Sequence, residues 1–106
     1  MNWDCHFKDD QFILYGDWTV TEVEETKKYF QPLAPCSLVL NLTDVEIITG
    51  LAMAECVTWL RELSTTHSIA LWYAPQMLAH TLYKANILQQ GKITLFQPRY
   101  DRGIGA

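Results

Sequence analysis

Apolar and polar residues follow one another along this chain in short blocks, and their spacing switches between that of a strand and that of a helix. Trp3 to Phe7 and Phe12 to Tyr15 are β-rich runs separated by the polar cluster Lys8-Asp9-Asp10-Gln11, which predicts an opening hairpin. Gly16-Asp17 ends the second run, and Thr19 or Thr21 then caps a helix. The early turns of that helix carry Glu22, Glu24 and Glu25 and the later part Lys27 and Lys28, the distribution that the helix dipole favours. Val23, Thr26, Lys27, Phe30 and Leu33 form its stripe, and Pro32 and Pro35 stop it.

Ser37 to Leu42 is a strand with Leu38, Val39 and Leu40 consecutive, the pattern of a segment covered on both faces. A polar turn containing Asp44 and Glu46 leads to Thr49-Gly50, and Met53, Cys56, Val57, Leu60 and Leu63 follow at helical steps of three and four. Ser64 to His67 reads as a polar loop and Ile69 to Tyr73 as a second continuous apolar strand. Ala74-Pro75 opens a third helix with Leu78, Leu82 and Ala85 as its buried stripe. Gln89-Gln90-Gly91 turns into a last strand, Ile93 to Phe96, and residues 98–106 are expected to be a flexible tail.

The resulting order, β-β-α-β-α-β-α-β, predicts an α/β fold: one domain over residues 1–106, with a mixed, mainly parallel sheet and helices packed on it. Composition agrees with one folded unit, since 49% of the 106 residues are hydrophobic and no linker-like cluster interrupts them. No apolar run approaches the roughly 20 residues needed to cross a bilayer. The opening MNWDCHFKDD carries acids in place of a basic, then apolar, leader. A cytoplasmic protein without membrane insertion is expected.

A net charge of −4, with eight scattered basic residues, argues against nucleic acid as partner. Cys5, Cys36 and Cys56 are odd in number and far apart, which fits reduced thiols. Cys5-His6 has no second pair at ligand spacing, so no metal and no cofactor is expected. His67 and His80 lack a nucleophile at catalytic spacing, and no glycine-rich phosphate loop is present. A non-enzymatic protein is the expectation.

The candidate site is the mouth of the second helix, where free backbone N–H groups and partial positive charge are presented. Thr49 has three readings. It can be a plain N-cap worth about 1 kcal/mol, a capping residue that is also the centre of a protein interface, or a phosphoacceptor. Gly50 is explained most simply by close backbone approach or a φ requirement. Asp44 and Glu46 would be solvated turn acids or the acidic rim of a docking surface, and Trp18, at a strand-to-helix corner, a core residue or a hot spot.

The segments FILYGDWTV, LVLNLTDVEIITGLA and IALWYAPQMLAHTLYKANIL, in this order of elements, resemble a STAS domain over roughly residues 11 to 97. STAS domains occur as bacterial anti-sigma factor antagonists, as cytoplasmic tails of sulfate transporters and as a small accessory subunit of the phospholipid-transport ABC system. In phosphorylatable antagonists the strand ends in Asp and the following helix opens with Asp-Ser-Ser-Gly, the first serine being the kinase target. This chain has Asn41 for the first acid, Ile48 where the second is expected, then Thr49 and Gly50. Thr49 to Ala52 looks more like the Thr-Gly-Gly-Leu-Ala opening of the transporter branch, where the threonine helps contact the ATPase.

The resemblance implies a regulatory protein-interaction module that docks onto an anti-sigma factor, a kinase-like regulator or a transporter ATPase. The alternatives are an accessory subunit of a lipid-transport ABC complex and a small-ligand or nucleotide sensor. No basic residue lies between Ser37 and Thr58 to hold an anion. Dimerisation is left open.

Overall fold

A computed structural model of the protein describes residues 3–85 and 92–96. The expected turn at Gln89-Gln90-Gly91 and the tail at 98–106 lie outside the described residues. The eight elements are β1 (Asp4–Lys8), β2 (Gln11–Trp18), α1 (Val20–Phe30), β3 (Ser37–Ile47), α2 (Gly50–Leu63), β4 (Ser68–Trp72), α3 (Gln76–Lys84) and β5 (Ile93–Phe96). They build one α/β unit around a five-stranded sheet in the order β1-β2-β3-β4-β5. β1 runs antiparallel to β2, and every other neighbouring pair is parallel.

The hairpin turns on Asp9 and Asp10, both at positive φ (54° and 63°), between the paired residues Lys8 and Gln11. This is the two-residue connection whose twist suits adjacent antiparallel strands. β2 does not stop at Gly16-Asp17. Gly16 takes φ 126°, a value that glycine tolerates, and the strand continues through Trp18.

β3 is longer than its apolar run implies. After Leu38, Leu40 and Leu42, the buried position moves to Val45, because Ile13 pairs with Asn41 but Tyr15 with Asp44, one extra residue on β3. Asn41 organises this bulge by accepting hydrogen bonds from Thr43 N (3.0 Å) and Thr43 Oγ1 (2.6 Å). Asp44 and Glu46, expected in a turn, therefore stand on a strand opposite Tyr15 and Asp17.

Each crossover moves one strand further in the same direction, so right-handed connections place all three helices on one face. Burial agrees. Leu14, Trp18, Leu38, Leu40, Leu42, Val45, Ile69, Leu71 and Ile93 are the buried strand residues, and the register sets them all toward the helices. They meet Val23 and Phe30 of α1, Ala52, Cys56, Val57, Trp59 and Leu60 of α2, and Leu78 and Leu82 of α3. Two expected stripe positions differ: Ala85 is exposed, just beyond the end of α3, and Lys27 is half-buried, its ammonium reaching Glu24 (3.4 Å) and Glu55 (3.6 Å).

Thr26 is fully buried yet satisfied. It accepts from the Trp3 indole N–H and donates to the Glu22 carbonyl at 2.8 Å. Trp3, Phe12, Tyr29, Phe30 and Trp59 form a chain of tilted and edge-on rings along this side of the core.

Candidate functional site

The mouth of α2 is assembled from β2 and β3 together. The Ile48 N–H donates to the Trp18 carbonyl at 2.9 Å, which closes β3 against the last residue of β2. Thr49 follows with extended backbone (φ −127°, ψ 159°) and caps α2, its Oγ1 accepting from Ala52 N at 3.0 Å. The Met53 N–H then donates to the Thr49 carbonyl at 3.0 Å, the first regular turn of the helix. A threonine in this geometry stabilises the helix by about 1 kcal/mol relative to alanine.

Trp18 is a core residue. It is fully buried, and its indole N–H donates to the Tyr15 carbonyl at 3.2 Å, so the ring folds under the corner and is out of reach of a partner. Its part in the site is structural, through the carbonyl that seats Ile48. Gly50 also departs from expectation. A side chain added there would meet nothing within 4 Å, and Gly50 does not have a positive φ. Neither internal crowding nor backbone conformation requires glycine at that position.

Two large apolar side chains flank this capped corner. Leu51, in the first turn of α2, is 74% exposed and Ile48 is 48% exposed. Soluble domains do expose isolated leucines, but here two stand within three residues of a capped helix end and a bare glycine backbone. The surface offered is apolar, with a hydroxyl already engaged and no cation in the segment from Ser37 to Thr58.

Asp44 and Glu46 do not join this corner as a rim. Their register beside Tyr15 and Asp17 sets them on the sheet face opposite the helices. The spacing of Asp44-Val45-Glu46-Ile47, polar and apolar in alternation, is a strand signal.

Elsewhere Cys56, Cys5 and His67 are held within the fold. Cys56 is buried, and desolvation pushes its thiol up to about 12, so it is not a nucleophile near neutral pH. Cys5 is half-buried between β1 and Tyr29 and is also raised, mainly by desolvation. His67 is buried: its Nε2 lies 3.0 Å from the Ala34 carbonyl, which can only accept, so Nε2 carries the proton and Nδ1 faces Thr66 Oγ1 at 2.7 Å. This clamp ties the α1–β3 connection to the α2–β4 connection. It borders a cleft of about 610 Å3 lined by Lys27, Lys28, Phe30, Trp59 and Glu62. That cleft lies at the far end of α2 from Thr49. Among the described residues no three His, Cys, Asp or Glu side chains are grouped to hold a metal ion, and no helix is long and apolar enough to cross a membrane.

No protein-family model matches the chain, and no curated protein matches it. Among solved structures, the NMR structure of the protein TM1081 is similar, with a TM-score of 0.56 and 19% identity over 88% of this chain and 78% of that one. At that identity the likeness shows a common fold.

Proposed function

We propose that this protein is a non-catalytic interaction module of the STAS type, which docks on a protein partner through the mouth of α2. The observation that carries the reading is the exposed pair Ile48 and Leu51 on either side of Thr49-Gly50, at a helix end whose hydroxyl is already used as a cap. Apolar side chains on a corner whose backbone is already hydrogen-bonded lose less entropy on binding, which makes them efficient anchors. The open space at Gly50 supports the same reading, because a partner's backbone could approach there most closely.

The resemblance of Thr49 to Ala52 to the transporter branch favours an ATPase subunit as partner, with an anti-sigma factor or kinase-like regulator as the other class. Phosphorylation at Thr49 is disfavoured, because its neighbours Ile48 and Leu51 are apolar and no acid of the antagonist motif accompanies it. Nucleotide sensing draws no support from a segment, Ser37 to Thr58, that carries no lysine or arginine.

The test is affinity capture from the native host, with the wild-type chain and Leu51→Asp as parallel baits and identification of what is retained. Capture of an ABC-type ATPase or a sigma-regulatory protein by the wild type, and its loss with Leu51→Asp, is expected. Capture of neither class, or equal capture by both baits, would contradict the proposal.

A further inference from the structure

The face of the sheet opposite the helices carries a second surface. Lateral partners in a sheet point the same way, so the register defines its rows. His6, Ile13, Asn41, Trp72 and Phe96 form one row across all five strands. Asp4, Tyr15 and Asp44 form the next, and Asp17 and Glu46 the last, at the C-terminal ends of β2 and β3. The face thus mixes Ile13, Trp72 and Phe96 with His6 and Asn41 across its middle, is acidic at one end and carries the Lys8–Gln11 pair at the other. Trp72 is half-buried, its ring 6.0 Å from that of Phe96, which is 46% exposed.

Among the described residues, the acids at the C-terminal ends of β2 and β3 have no cation paired with them. Asp17 and Glu46 stand directly side by side, a like-charge pair that costs stability in a sheet. Among the described residues, Asp17, Asp44 and Glu46 have no salt-bridge partner, and Asp4 pairs only with the exposed His6 at 3.1 Å. Such an arrangement selects its occupant. A second copy would set four acids, Asp4, Asp17, Asp44 and Glu46, against rows that carry one lysine, Lys8, and nucleic acid or an anionic membrane would be repelled.

We propose that this face, on which none of the described helices packs, is a docking surface for a basic segment of a partner protein, with arginine or lysine against Asp17, Asp44 and Glu46 and apolar groups against Tyr15, Trp72 and Phe96. The surface lies on the opposite side of the sheet from the helices and acts independently of the α2 corner.

The test uses an acetylated peptide of about eight residues that alternates arginine with leucine, long enough to span these rows at roughly 3.3 Å per residue. Binding is followed by amide shifts and by Trp fluorescence. Three chains are compared: wild type, Asp17→Asn/Glu46→Gln, and Asp9→Asn/Asp10→Asn, which removes the same charge at the other end of the sheet. Shifts are expected at Ile13, Tyr15, Asp44, Glu46 and Trp72. Affinity should fall about tenfold in Asp17→Asn/Glu46→Gln, each lost rim charge accounting for about half of that in free energy, and hardly change in Asp9→Asn/Asp10→Asn. No binding, equal losses in both variants, or shifts confined to the helices would overturn the proposal. Concentration-dependent dimerisation that perturbs the same amides without peptide would assign the face to a second copy and also overturn it.

Discussion

Gly16 and Gly50 are glycines for opposite reasons. Gly16 sits inside β2 at φ 126°, so a side chain there is strained, and Gly16→Ala is predicted to cost roughly 1–3 kcal/mol in chemical denaturation. Gly50 opens α2 with empty space above it, so Gly50→Ala should leave stability unchanged or raise it by up to about 1 kcal/mol. If the corner meets a partner closely, that same substitution weakens binding while folding is intact. The thiols separate as cleanly. Cys36 is exposed and should react with a thiol reagent at pH 8, whereas Cys56, raised to about 12 by burial, should react only on unfolding. Mass spectrometry of the labelled native and denatured chain distinguishes them. The burial of Trp18 was not legible from its neighbours, because it depends on the Tyr15 carbonyl and on strand pairing that local sequence does not display.

Among the elements, the opening hairpin and α1 give further tests. Asp9 and Asp10 both adopt positive φ, a conformation costing an ordinary residue about 1–2 kcal/mol. Glycine at the second turn position relieves that strain but loses more chain entropy, so Asp10→Gly is expected to stabilise by about 0.5 kcal/mol in thermal unfolding. At the start of α1, Glu22 Oε1 accepts from the Thr19 hydroxyl and from Thr19 N at 2.8 Å. These bonds, the hydroxyl first, hold its carboxyl below the ordinary 4.5. The depressed folded value means that this contribution is complete above pH 4.5 and is lost as pH falls through the folded pKa. The stability difference between wild type and Glu22→Gln, measured by denaturation from pH 6 downward, should be constant above pH 4.5 and shrink below it. The capping of α1 was legible only as Thr19 or Thr21, each followed three residues later by Glu, and the structure places the cap at Thr19. The length of β3 was not, because the bulge at Asn41 to Asp44 breaks the alternation halfway and makes its second half resemble a turn.

At the scale of the whole molecule, the mixed, mainly parallel sheet was readable because strands alternating with helical stripes call for right-handed crossovers, whereas the strand order β1-β2-β3-β4-β5 came from the pairing. Its asymmetry was harder to see. Leu38, Val39 and Leu40 suggested a strand covered on both faces, yet Val39 faces away from the helices and is only half-buried. Likewise Thr49-Gly50 was recognisable as a helix mouth, while the separation of Asp44 and Glu46 from it required the register. The fold places an apolar, capped corner at the end of β3 and an acidic, aromatic sheet face behind it. Leu51 and Met77 offer a matched pair, exposed by 74% and 65% on different helices. The most direct test is the affinity of the captured ATPase or regulator for Leu51→Asp and for Met77→Asp, measured by titration calorimetry. Loss of about 2 kcal/mol or more with Leu51→Asp and near-wild-type binding with Met77→Asp is the predicted result; equal effects, or a loss confined to Met77→Asp, would contradict it.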